Sequence, residues 1–216
     1  MSAALEIWAP GTLGEVDAGA DLARLLLDGC RQEGLSLQDG DIVVITSKVV
    51  SKVEGRVAAG DREEAIRAET VALLAERGAT QVVRSRLGLV HAAAGVDASG
   101  VSPGQIALLP LDPDASARVV RERCQELAGV TVGVLISDTA GRPWRMGQTD
   151  LAIGAAGVRV LDDHSGRDDG YGNRLAVTCP AVADELCSAA ELASGKTGRR
   201  PLVVIRGRAD LVLPAG

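Results

Sequence analysis

The amino-acid sequence predicts a mixed α+β fold. Three apolar runs, at residues 42–45, 130–136 and 201–205, are rich in Ile, Val and Leu, and continuous runs of this kind are typical of strands buried on both faces. Segments with apolar residues at helical spacing lie between them. Because helices and strands do not alternate one for one, their order favours a mixed α+β arrangement over a regular doubly wound sheet.

The N-terminal half is predicted to hold two helices and several short strands. Residues 20–33 repeat apolar residues at helical spacing and end at Gly34, and Asp61 is placed to cap a second helix that runs to about Glu76. Short apolar segments predict the strands, at residues 5–8, 42–45, 81–84, 87–90 and 105–109.

The C-terminal half continues the mixed pattern. Asp114 is placed to cap a helix that ends at about Leu127, with Gly129 as its stop. Pro180 suits the first turn of another helix, which runs to about Ala193. Two polar stretches that contain glycine are expected to form loops, at residues 141–150 and 162–174.

The composition limits the kind of protein. A length of 216 residues and a net charge of −6 indicate one domain over residues 1–216, or two intertwined subdomains, and argue against a nucleic-acid partner. No apolar run approaches the ~18 residues of a membrane span, and the first residues lack the pattern of a signal peptide. The four cysteines form no C-x-x-C pair, so we expect a reducing, cytoplasmic compartment.

Two aspartates are candidates for a metal site. Asp138 follows the apolar run at residues 130–136, where a carboxylate is costly unless it is hydrogen-bonded or binds a cation. Asp97 lies in a loop flanked by glycines, where the backbone can approach a ligand closely. Together they could bind a hard divalent metal ion through carboxylate oxygens. The alternative is that each aspartate only caps a turn or a loop.

Several cations are candidates for binding an anionic ligand. Lys48 and Lys52 follow the first apolar run, and they share one face if the strand conformation continues. They could then bind phosphate, or they could simply form a solvated strand edge. Arg142 and Arg145 flank Trp144 in a polar loop and could clamp a carboxylate or a phosphate, the alternative being a surface turn.

Eight short motifs, in order along the chain, resemble one known family. They are residues 46–52 (TSKVVSK) with 54–56 (EGR), 94–99 (AGVDAS), 111–116 (LDPDAS), 137–139 (SDT), 141–145 (GRPWR), 147–150 (GQTD), 171–173 (YGN) and 181–186 (AVADEL). This set is similar to the coenzyme F-420 γ-glutamyl ligases (coenzyme F-420-0:L-glutamate ligases), in the stand-alone form without a fused nitroreductase domain. The resemblance covers about residues 9–207, which is nearly the whole chain.

The resemblance implies a GTP-dependent amide ligase that adds L-glutamate to a deazaflavin precursor through an acyl phosphate. It implies a mixed α/β fold of the γ-glutamyl-ligase type in an intertwined homodimer, with Mg²⁺ or Mn²⁺ and K⁺ as cofactors. The positions that match the family's GTP contacts are Thr12, Leu13, Gly14, Glu15, Ser47, Lys52, Gly100, Ser194, Gly195, Lys196 and Thr197. The positions that match its metal site are Asp97, Asp138, Thr139 and Lys196.

The chemistry of the side chains suggests catalytic roles, and the resemblance shows where the chain departs from the family. Lys52 is expected to add positive charge at the phosphates of GTP, and Arg142 and Arg145 are expected to clamp the anionic substrate. Gly100 and Met146 each stand where the family usually has Asn. These departures keep two alternatives open: a ligase of the same fold that acts on a different acid and amine, and a non-catalytic GTP-binding paralogue.

Overall fold

The computed structural model describes residues 4–11, 13–78, 80–142 and 144–214. The helices are α1 (Leu22–Gln32), α2 (Ser47–Val53), α3 (Arg62–Glu69), α4 (Pro113–Ala128) and α5 (Val182–Ser194). The strands are β1 (Glu6–Trp8), β2 (Ile42–Thr46), β3 (Val57–Ala59), β4 (Thr70–Arg77), β5 (Thr80–Ser85), β6 (Val90–Ala92), β7 (Gln105–Ala107), β8 (Gly133–Gly141), β9 (Gln148–Ala156) and β10 (Leu202–Arg206). None of the helices in the described part of the chain combines the length and the apolar character that a membrane span needs.

Five strands form the central sheet, in the order β1–β10–β2–β8–β9. β2 and β8 run parallel, and the other neighbouring pairs are antiparallel. The three predicted apolar runs therefore contribute the three middle strands of this sheet, β10, β2 and β8.

The central sheet is covered on both faces, which explains its apolar runs. Alternate side chains of a strand point to opposite faces. Val43 and Ile45 pack with residues of α1 and α4, whereas Ile42 and Val44 pack with residues of α5. All four side chains are almost fully buried. The prediction of strands buried on both faces is confirmed, and the fold is mixed α/β.

Two smaller sheets form from the segment between β2 and β8. One pairs β3 with β7, and the other has the order β4–β5–β6; both are antiparallel. A small apolar cluster of Ile66 on α3, Val96 and Ile106 holds this region together. This region carries the loop of Asp97, which the sequence indicated as a candidate metal ligand.

The predicted helix from Asp61 to about Glu76 is too long. Asp61 does cap a helix, because its carboxylate accepts a hydrogen bond from the backbone N of Glu64 at 2.8 Å. However, α3 ends at Glu69, and the residues that follow form β4. Pairing with β5 satisfies the backbone of β4, so a non-local contact overrides the local preference for helix.

The cap of α4 is Asp112 and not, as predicted, Asp114. The Asp112 carboxylate accepts a hydrogen bond from the backbone N of Ala115 at 2.9 Å. Asp114 instead accepts one from the backbone N of Ala155 at 2.7 Å, on the edge strand β9. The helix stops at Gly129 as predicted, with a φ of 71° that glycine adopts without strain.

Two strand boundaries and one whole strand also differ from the sequence-based expectation. The strand predicted at residues 87–90 begins only at Val90, and β8 begins at Gly133 and not at residue 130. β9 was not predicted, since its Ala-rich and Gly-containing sequence has no clear strand pattern. β8 and β9 together occupy part of the loop expected at residues 141–150.

Candidate active site

Polar segments converge at one edge of the central sheet. β2 and β8 are parallel, so their carboxyl ends lie at the same edge. β9 and β10 run in the opposite direction, so the segments that enter them reach this edge too. A cavity of about 910 Å³ opens there, bounded by the sheet edge, α2, the loop of Asp97 and the end of α5. Segments far apart in sequence thus meet at one site.

The cavity collects most of the site residues that the sequence suggested. On the expected nucleotide side the lining includes Leu13, Gly14, Glu15, Ser47, Lys52, Gly100, Ser194, Gly195 and Lys196. On the expected metal side it includes Asp97, Asp138 and Thr139. Thr197 does not line the cavity, and Thr12 lies outside the described residues.

The residues after β2 form the helix α2 and do not continue the strand. Lys48 and Lys52 still share one face, because residues four apart are neighbours on a helix. Both line the cavity. The conformation assumed for this segment was wrong, but the expected juxtaposition of the two lysines holds.

Asp138 follows the buried part of β8 at the floor of the site. The parallel register pairs Thr46 with Ser137, so the next residues, Ser47 and Asp138, lie side by side. The Ser47 hydroxyl donates to Asp138 Oδ1 at 2.9 Å. Burial raises the pKa of Asp138 to about 6, and the negative charges of Asp150 and Asp97 act in the same direction.

Asp97 also lines the cavity, on the loop that precedes β7. Its backbone is anchored on β7 by two hydrogen bonds with Ala107. Its carboxylate accepts from Lys48 Nζ at 2.7 Å, from the backbone N of Ser99 at 2.7 Å and from the Ser99 hydroxyl at 2.8 Å. Partial burial opposes ionisation, but these hydrogen bonds together outweigh it and lower the pKa of Asp97.

Gly100 leaves room for the Lys48 side chain. A Cβ atom at position 100 would lie 3.0 Å from Lys48 Cδ, and the φ of Gly100 is +64°, which disfavours most other residues. The departure from the family's usual Asn therefore coincides with the approach of Lys48 to Asp97. The sequence offered no sign of this coupling.

Asp150 is a buried carboxylate of the site that sequence reasoning missed. The pairing of β8 with β9 places it opposite Thr139, whose hydroxyl donates to Asp150 Oδ1 at 2.7 Å. Lys196 Nζ donates to the same oxygen at 3.0 Å. Only 7% of Asp150 is exposed. Two signals were available, its place in the motif at residues 147–150 and its position directly before the apolar residues of β9.

Lysine is used selectively in this protein. The chain has three lysines among its 23 basic residues, and all three line the cavity. Each ammonium contacts a carboxylate: Lys48 with Asp97 at 2.7 Å, Lys52 with Glu15 at 2.5 Å, and Lys196 with Asp150 at 3.0 Å. The site is therefore rich in both charges, and each of its three ammonium groups is paired with a carboxylate.

Arg142 and Arg145 lie on the turn between β8 and β9, outside the residues that line the cavity. Arg142 Nη2 donates to the backbone O of Met146 at 2.6 Å, so this guanidinium is turned back onto its own loop. The assignment of both arginines as substrate clamps stays a prediction. The arginines that do line the cavity were not singled out from the sequence, and they are Arg62, Arg199 and Arg200.

The carboxylates suit a divalent cation that is bound together with phosphate. In the described part of the chain, no three acidic, His or Cys side chains form a complete metal site. Mg²⁺, however, is commonly bound by one or two carboxylates together with substrate phosphates and water. Asp97 and Asp138 could supply those two carboxylates. Burial is the main cause of the raised pKa of Asp138, and the charge of Asp97 adds to it; a bound cation would favour the ionised carboxylate against both.

Comparison with known proteins identifies the family to which the chain belongs. Residues 11–207 match the family model of F420-0:gamma-glutamyl ligase. A coenzyme F420:L-glutamate ligase of Methanopyrus kandleri is 42% identical over 214 aligned residues, covering 89% of this chain and 83% of the relative. Enzymes of the same name from Archaeoglobus fulgidus (40% over 212 residues, 89% and 83% covered) and Methanothermobacter thermautotrophicus (38% over 213 residues, 89% and 84% covered) are also similar. The chain belongs to the F420-0:gamma-glutamyl ligase family of enzymes.

Proposed function

We propose that this protein is a GTP-dependent ligase that joins L-glutamate by an amide bond to a deazaflavin precursor of coenzyme F420. The observation that carries the proposal is the meeting of Asp97, Asp138 and Lys52 in one cavity at the ends of β2 and β8. Family membership and the names of the relatives give the substrate class. GTP dependence and the metal rest on the resemblance and on the chemistry of these side chains.

The chemistry requires an activated acid, because a carboxylate oxygen is a poor leaving group toward an amine. In the proposed first step, a carboxylate oxygen of the precursor attacks the γ-phosphorus of GTP; the bond to the bridging oxygen breaks, GDP leaves and an acyl phosphate forms. The α-amine of glutamate then attacks the acyl carbon, phosphate leaves with the bonding pair of the C–O bond, and the amine loses a proton.

The side chains of the cavity are suited to this phosphoryl transfer. The Lys52 side chain is only 18% exposed, but its partner Glu15 is 70% exposed, so Glu15 can return to water when the ion pair opens. Lys52 can therefore exchange Glu15 for a phosphate oxygen at low cost and stabilise the charge that develops there. Asp97 and Asp138 would hold Mg²⁺ or Mn²⁺, which would neutralise phosphate charge when bound.

We also propose that the protein forms a homodimer, in line with the family resemblance. Three apolar side chains on β4, Val71, Leu73 and Leu74, are more than half exposed, and so is Val90 on β6 of the same small sheet. Exposed apolar groups clustered on one element are typical of a protein interface. Light scattering at several concentrations tests the proposal, and a monomer throughout the micromolar range would contradict it.

The ligase activity can be tested by incubating the protein with the deazaflavin precursor, GTP, Mn²⁺ and L-glutamate. We expect one glutamate residue to be added, detected by mass, together with formation of GDP. Asp138→Asn should abolish both products, whereas the matched control Asp28→Asn, at an exposed position on α1 outside the cavity, should retain them.

The other outcomes separate the alternatives. GDP release that depends on another acid and amine would support a ligase of different specificity. Tight binding of GTP with Mn²⁺ by calorimetry, without any turnover, would support the non-catalytic paralogue. The absence of both product formation and GTP binding would overturn the proposal.

A further inference from the structure

The Lys196 ammonium lies among three oxygen atoms from three different elements. Nζ is 2.7 Å from Thr139 Oγ1 on β8, 3.0 Å from Asp150 Oδ1 on β9 and 3.3 Å from Glu191 Oε1 on α5. The stem of Lys196 is largely exposed, but its charged end points inward, toward a carboxylate on β9 that is almost fully buried. This is the environment expected of a bound cation.

The backbone places Lys196 where this contact is possible. Helix α5 ends at Ser194, and Gly195 follows with a φ of +62°, a conformation that glycine adopts without strain. Lys196 therefore follows directly after the end of α5, and its ammonium contacts the carboxylates of Asp150 and Glu191. Both carboxylates favour a positive charge at this point.

A separate monovalent cation does not fit this point while Lys196 is present. The ammonium already occupies the point between Thr139, Asp150 and Glu191, and a protonated lysine has no lone pair with which to bind a metal ion. The resemblance to the family implies K⁺ as a cofactor and Lys196 as a residue close to a metal. In the structure, oxygen atoms of Thr139, Asp150 and Glu191 instead surround the ammonium of the lysine itself.

We propose that Lys196 is a built-in cation of this site, which takes the place of a free monovalent ion between Thr139, Asp150 and Glu191. Ammonium and K⁺ are similar in size and charge, so the three oxygens that surround Nζ suit either. As a consequence, the protein needs no K⁺ at this point. The consequence for turnover rests on the proposed function, whereas the cation site itself does not.

Thermal unfolding of the Lys196→Met variant tests the cation site directly. Methionine keeps most of the side-chain length and removes the charge, which leaves the three oxygens without their cation. We expect the melting temperature of this variant to be lower than that of the wild type in choline chloride. It should rise by about 3 °C or more, with saturation, when NH₄⁺ or K⁺ replaces choline at equal ionic strength. The wild type should melt at the same temperature in all three salts.

Two controls make the result specific. Lys52→Met removes an ammonium from the same cavity, but its carboxylate partner Glu15 is exposed, so we expect no recovery with NH₄⁺ or K⁺. Adding Asp150→Asn to Lys196→Met removes the buried carboxylate of the site and should abolish the recovery. Lys196→Gln serves as the second variant if Lys196→Met does not fold.

Three results would overturn the proposal. They are a rise of the wild-type melting temperature with K⁺ over choline, no recovery of either Lys196 variant with NH₄⁺ or K⁺, and recovery with Mn²⁺ alone. If the enzyme is active, GDP formation by the wild type should be equal in choline and K⁺ salts. If no GDP forms in any salt, the proposed function fails, but the melting temperatures still decide whether Lys196 fills a cation site.

Discussion

Replacing Asp138 with asparagine is expected to change how the stability of the metal-free protein depends on pH. Burial raises the pKa of Asp138 from its ordinary 3.8 to about 6. At about 1.4 kcal/mol for each pKa unit, ionising this group costs roughly 3 kcal/mol more in the folded than in the unfolded protein. The free energy of unfolding therefore contains a contribution that is complete below about pH 4 and is lost as the pH rises through 6.

The Asp138→Asn variant lacks this contribution, and its amide oxygen can still accept the hydrogen bond from Ser47. The difference in unfolding free energy, variant minus wild type, should thus increase by roughly 3 kcal/mol between pH 4 and pH 8. Urea unfolding of both proteins, followed by circular dichroism in the presence of EDTA, measures this difference. Contributions from all other ionising groups cancel to first order.

The control Asp28→Asn changes an exposed carboxylate on α1 and is expected to follow the wild-type profile. A variant-minus-wild-type difference for Asp138→Asn that stays constant within about 0.5 kcal/mol over this range would refute the reasoning. It would mean that the site is hydrated or rearranged enough to remove the cost of burying the charge.

Three further predictions concern other groups. Arg206→Met should lower the free energy of unfolding by about 3–5 kcal/mol. The reason is that the buried Asp41 carboxylate loses the bidentate Arg206 guanidinium, whose two nitrogens each lie 2.8 Å from it. A loss under 1 kcal/mol in urea unfolding would contradict this. Burial lowers the pKa of His91, so the contribution of the neutral imidazole to stability is present above about pH 6.5 and lost on acidification. His91→Gln should therefore flatten the acid limb of the profile of unfolding free energy against pH. An acid limb identical to that of the wild type would contradict this prediction. Lys52→Met should weaken GTP binding by 10-fold or more in calorimetry, since hydrogen bonds to charged groups contribute about 1.5–3 kcal/mol; equal affinities would remove Lys52 from the phosphate site.

The pattern of apolar residues along the chain was sufficient to predict the elements whose conformation is decided by burial. The runs that became β2, β8 and β10 are apolar on both sides of the strand, and no other placement would bury them as well. The helix cap at Asp61 and the helix stop at Gly129 could also be predicted, because each satisfies backbone groups within a few residues. The end of α3 could not be predicted, because β4 is stabilised by pairing with β5 and not by its own sequence.

The site shows the same division. Motif order indicated Asp97, Asp138 and Lys52 as members of one site, and the structure brings all three to one cavity. Asp150 was missed because its role depends on the pairing of β8 with β9, which places it opposite Thr139. No spacing along the chain encodes that pairing.

The sequence by itself determined the mixed α/β class and the three middle strands of the sheet, because the pattern of apolar residues is a local property of the chain. The candidate site residues came from the order of the motifs and the family that they resemble. Only the tertiary structure decided which carboxylate meets which partner. Lys48 reaches Asp97 across 49 positions and Ser47 reaches Asp138 across 91, and such contacts depend on strand direction and register. The attraction between two charges weakens with distance. Which charges pair therefore depends on which strand ends the sheet brings together.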